Sequence, residues 1–78
     1  MGVTEDLADD LAREAIEAAE LTGDETLINE MAAHMGTSST TTEEAFLTAV
    51  RVRLAAKRGR QFLEQRLRAY ETKLKDQG

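Results

Sequence analysis

At 78 residues the chain has room for one small domain, and a core of that size is marginal unless a staple or a partner supports it. It has no cysteine, which excludes disulfides and thiolate metal sites, and no apolar run long enough to cross a bilayer. The net charge of −5 hides a division: residues 1–44 hold twelve acids against one base, Arg13, whereas residues 45–78 hold nine bases against three acids, Glu64, Glu71 and Asp76.

Ala, Leu, Glu and Arg dominate, and β-branched and aromatic residues are sparse, so the fold class is all-α. The expected architecture is a single domain, 1–78, folded as a small helical bundle of three helices with the third long. No signal peptide opens the chain, and the expectation is a cytoplasmic protein. Two halves of opposite charge suit elements that pack together under mutual attraction. The same basic half also offers a surface for nucleic acid, although the acidic half would repel phosphate.

The first helix is expected over about 5–21, with Thr4 as N-cap and Glu5 and Asp6 in the first turn. Leu7, Leu11, Ala15 and Ala18 line one strip, widened by Ala8, Ala12, Ile16 and Ala19. Small residues dominate this face and match the small residues at 45, 49, 56 and 59 of the third helix, so the two faces are expected to pack at a short distance between helix axes. Asp10, Glu14 and Glu17 lie opposite and read as a solvated acidic face, since no loop of calcium-binding spacing accompanies them.

Gly23 is expected to end that helix and Asp24 to cap the next, which spans about 25–35. Leu27, Ile28, Met31 and Met35 form its buried face, and Gly36 terminates it. The polar linker 36–41 is rich in hydroxyls that favour turns and caps.

The third helix is expected over about 42–75. Thr41 with Glu44, or Thr40 with Glu43, fits a capping box. Lys57-Arg58-Gly59-Arg60 is the one candidate break or kink, because basic residues followed by glycine suit a helix end. Two features favour continuity. Nothing after Gly59 can serve as an N-cap, and the apolar series Ala45, Ala49, Val52, Ala56, Gly59, Leu63, Leu67, Tyr70, Leu74 keeps its spacing of three or four. Gly59 on that face suggests close approach of another helix. A second stripe, Phe46, Leu47, Val50 and Leu54, exists only in the first half. The first half is therefore expected to be covered from two sides by the first two helices. Asp76-Gln77-Gly78 reads as a frayed tail.

The segment from Met31 to Phe46 resembles the helix-turn-helix of bacterial regulators. Ala32, Gly36, the pair Ser38-Ser39 and Ala45 carry the resemblance, within a helix-turn-helix-like stretch at 28–46. Thr37 and Thr42 stand where that motif places locking aliphatic residues, and Glu43 and Glu44 open the helix that would meet DNA. The resemblance implies a nucleic-acid-binding regulator with Arg51, Arg53, Lys57, Arg58 and Arg60 as contacts.

Catalysis has little to stand on. His34 is the only histidine, and Glu30 four residues before it forms a local pair rather than a metal site. Ser38 and Ser39 lack the glycines of a nucleophile elbow, and no glycine-rich phosphate loop occurs. The expectation is a non-enzyme with no cofactor, no metal and no evident small-molecule substrate. Its expected function is protein–protein interaction: a homodimer, or docking to a protein partner, through Leu63, Leu67, Tyr70 and Leu74. The first two helices are too short to cover that stretch.

Overall fold

A computed structural model describes residues 2–77. Three helices follow one another: α1 Val3–Thr22, α2 Leu27–Gly36 and α3 Thr40–Gln77, with no strand among the described residues. The fold is the expected small all-α bundle with a long third helix.

Each helix boundary differs from the sequence expectation by one or two residues, for local reasons. At the start of α1 the N-cap is Gly2, in extended conformation (φ −126°, ψ 170°), and its carbonyl accepts from the Asp6 amide at 3.1 Å. Thr4 is therefore inside the first turn, not its cap. Gly23 ends α1 as expected, in the left-handed region at φ 72°, with its amide donating to the Ala19 carbonyl at 2.9 Å.

Asp24 organises the turn ahead of α2 rather than capping residue 25. Its Oδ1 accepts from both the backbone amide (2.9 Å) and the hydroxyl (2.8 Å) of Thr26, so Glu25 and Thr26 are spent in a turn. Gly36 proves to be the last helical residue, without a positive φ, and Thr37 closes α2 with its hydroxyl donating to the His34 carbonyl at 2.7 Å. The linker shrinks to residues 37–39.

The expected capping boxes at Thr40–Glu43 and Thr41–Glu44 do not form, because Ser39 reaches the free donors first. Ser39 Oγ accepts from the Thr42 amide at 3.1 Å and from the Thr42 hydroxyl at 2.9 Å. α3 then runs unbroken through Gly59 to Gln77. Asp76 and Gln77 are helical rather than frayed, and Gly78 lies outside the described residues.

The core is small. Ala8, Ala12 and Ala15 of α1, Ala32 of α2, and Phe46 and Val50 of α3 are its buried members. Leu11, Ile16, Ile28, Met31, Met35, Ala45, Leu47, Ala49 and Leu54 pack around them. The three alanines, four and three apart, give α1 a flat face against which the fully buried Phe46 ring seats. Leu7 was expected in that strip, but it sits at the rim and is 58% exposed.

Cover from α1 and α2 ends early along α3. The stripe that carries the core is Phe46, Leu47, Val50 and Leu54, whereas on the other stripe Ala45 and Ala49 are half-buried and Val52 is already exposed. Every described residue from Ala55 onward is exposed. Gly59, expected in a tight helix contact, has open space: a Cβ placed there meets nothing within 4 Å among the described residues. The molecule measures 61 × 31 × 13 Å, and α3 at about 1.5 Å per residue nearly spans the long dimension.

Candidate interaction surface

The exposed half of α3 carries an ordered apolar face. Leu63 (56% exposed), Leu67 (52%), Tyr70 (60%) and Leu74 (49%) share one side of the helix, and Ala56 and Gly59 extend that side toward the bundle. Phe62 adjoins it, 61% exposed, with the Arg66 guanidinium stacked 5.0 Å from its ring centre.

The angular position of this face decides what can cover it. At 3.6 residues per turn, Phe46, Leu47, Val50 and Leu54 centre on a direction about 150° from the Leu63–Leu74 line. The line that continues the core-facing side holds Gln61, Gln65, Arg68 and Thr72. The core-facing apolar stripe of α3 thus ends at Leu54, and beyond it the apolar face is the one on nearly the opposite flank. A helix that packs on Phe46 and Val50 and continues straight along α3 would meet polar residues, and the leucine face would stay open.

The spacing along the face also has a period. Val52, Leu63 and Leu74 are eleven apart, and each interval divides as four, three, four. Eleven residues over three turns is about 3.67 per turn, close to the 3.6 of a straight helix, so a partner helix can follow this face with little supercoiling.

The five basic residues of the nucleic-acid expectation do not make one surface. Arg53 lies against α1, with Nε and Nη2 donating to the two Asp9 carboxylate oxygens at 2.7 and 2.8 Å. Lys57 pairs with Glu20 of α1. Arg51 and Arg58 are exposed on one flank of α3 and Arg60 on another, roughly 160° around the helix. The two ion pairs join the acidic first element to the basic third. The bidentate hydrogen bonds from Arg53 hold the Asp9 carboxyl below the usual carboxylate range, helped by the charges of Arg53 and Arg13, and the same bonds push the Arg53 guanidinium up. Asp24 is lowered as well, by its bonds to the Thr26 hydroxyl and amide.

In the helix-turn-helix-like segment, Ala32 of α2 is buried in the core and Ala45 of α3 is half-buried against that core. Glu43 turns back over Gly36, where a Cβ would lie 2.5 Å from its Oε1. Glu44 is exposed at the start of α3. A shallow apolar groove of about 350 Å³ runs along α2, lined by Leu11, Leu27, Glu30, Met31, His34 and Met35. Among the described residues no three His, Asp or Glu side chains are grouped to hold a metal ion, and no helix is long and apolar enough to cross a membrane.

Sequence reasoning named the four large residues of the open face. It assigned Val52, Ala56 and Gly59 to packing within the chain, and there the exposure of the structure differs. The eleven-residue interval is the signal that joins them to the distal face. Comparison with models of protein families, with curated proteins and with solved structures finds no match for this chain.

Proposed function

We propose that this chain is a non-enzymatic protein–protein interaction module that self-associates through the distal half of α3. One observation carries the reading: Leu63, Leu67, Tyr70 and Leu74 form a contiguous apolar face, about half exposed, on the flank of α3 nearly opposite the side that carries the core of the described residues. Large contiguous apolar patches on soluble chains mark interaction sites. A second copy, related by a two-fold axis, presents the same face and covers it by the commonest symmetry of oligomers.

The test is Leu67→Glu together with Leu74→Glu, measured by light scattering beside the wild type. Both positions are exposed in the single chain, so its helical signal should survive while the mass falls to that of one copy. A wild type that is monomeric at about 0.5 mM would contradict self-association and leave docking to a different protein as the use of this face. Nucleic-acid binding by a regulator is the alternative function. It loses two of its five basic contacts to Asp9 and Glu20. A mobility shift with duplex DNA that weakens steeply with salt would favour it instead.

A further inference from the structure

Resting on self-association, we infer that two copies pair antiparallel in one register, with Ala56 and Gly59 of each α3 receiving Leu74 and Tyr70 of the other. The starting observation is Gly59. It sits in an unbroken helix, where glycine costs stability relative to alanine, and among the described residues nothing lies close enough to require it. Three turns further along the same face stands Tyr70, the bulkiest residue of the seam and 60% exposed.

Set two α3 helices antiparallel about a two-fold axis near residue 65, and the face closes layer by layer. Ala56 meets Leu74, Gly59 meets Tyr70, and Leu63 meets Leu67, after which the symmetry repeats the same three layers in reverse. Each layer pairs a small residue with a large one, or leucine with leucine, so the helix separation stays nearly constant over roughly 27 Å. A parallel pair would stack Gly59 on Gly59 and Tyr70 on Tyr70, which pinches the helices at one end and forces them apart at the other. The antiparallel seam covers five turns of each helix, on the order of 1,200 Å² over both copies, which reaches the range of specific interfaces.

Charge selects the same arrangement. In this register Arg60 of one copy lies on the same edge as Glu71 of the other, twice by symmetry. Sliding the pair until Leu63 meets Leu74 and Leu67 meets Tyr70 would bring Glu64 against Glu71 on one edge and Arg66 against Lys73 on the other. Like charges then face each other along both edges. In the favoured register the charged groups nearest the axis are Glu64 and Arg66, each facing its own copy. Both are already drawn along their own helix, Glu64 to Arg68 at 3.6 Å and Arg66 over Phe62 at 5.0 Å. At longer range, antiparallel pairing sets the two acidic halves at opposite ends and brings each basic distal helix toward the other copy's acidic half. Parallel pairing would set the acidic halves side by side.

The chain has no native cysteine, so single-cysteine variants report register directly. Ala56→Cys and Leu74→Cys proteins are mixed above the dimer dissociation constant, oxidised and sized without reductant. The expected result is a mixed disulfide between the two variants and little linkage in Leu74→Cys alone. Strong linkage in Leu74→Cys alone, meaning parallel pairing, would overturn the register, as would efficient linkage of Leu63→Cys to Leu74→Cys, meaning the shorter overlap. Gly59→Leu supplies a second reading by sedimentation: the dimer's Kd should rise at least about tenfold while helicity is kept. An unchanged Kd would overturn the register while leaving self-association standing. A wild type that stays monomeric throughout would remove both.

Discussion

Gly59 and Gly23 separate two reasons for glycine in one chain. Gly23 holds φ 72°, a conformation that costs other residues about 1–2 kcal/mol, so Gly23→Ala should lower stability by roughly 1 kcal/mol. Gly59 is helical with open space around its missing side chain, so Gly59→Ala should raise the stability of the single chain by up to about 1 kcal/mol. Urea melts at a concentration low enough to keep the chains apart measure both, and equal signs would contradict the assignments. Asp9 provides the pH-dependent contribution at this scale. Its carboxyl is held low by hydrogen bonds from Arg53, so its stabilisation is present above the ordinary carboxylate value of about 3.9 and is lost as pH falls through the depressed folded value. Arg53→Ala should raise the Asp9 titration point toward the ordinary value, as read from carboxyl shifts by NMR. An unmoved Asp9 would mean that the bidentate pair does not persist in solution.

Among the elements, the energetic weight lies at one end of α3. Phe46 is fully buried against the alanine face of α1, and Phe46→Ala should cost about 3–5 kcal/mol, a large part of the stability of a chain this short. Leu67→Ala, on the open half, should change the melt of the dissociated chain by no more than about 0.5 kcal/mol. Comparable losses from the two variants would mean that the distal half folds back into the core. Much of this division was legible beforehand. The all-α class, the long third helix, the Gly23 cap and the open leucines all follow from composition and three-four spacing. The caps of α2 and α3 were less legible because several hydroxyl and acidic residues compete for the same amides. Ser39 wins over Thr40 and Thr41 by position alone. The side of α3 that meets α1 was misread for a different reason. Two apolar stripes overlap between residues 45 and 54, and periodicity cannot rank them. The larger volume of Phe46, Val50 and Leu54 decides which one takes the core, and the alanine stripe is left at its edge.

The whole molecule is a small head with an uncovered helical arm. Its radius of gyration is 17.4 Å, where a compact chain of this length would have about 11–12 Å. The head is held by a minimal core and by two ion pairs that tie acidic α1 to basic α3, Asp9–Arg53 and Glu20–Lys57. Both pairs are partly exposed, so raising salt should lower the melting temperature only modestly, and a steady rise would instead indicate relief of repulsion within each half. Among the described residues no ion pair ties the arm, from Ala55 onward, to α1 or α2 beyond Lys57–Glu20 at its base. Sedimentation equilibrium of the wild type from about 5 µM to 0.5 mM tests its role most directly, since self-association must follow mass action. An apolar arm that pairs with a second copy gives a mass rising from one chain to two, and Leu67→Glu with Leu74→Glu holds it at one. A single-chain mass across the whole range would contradict self-association through α3.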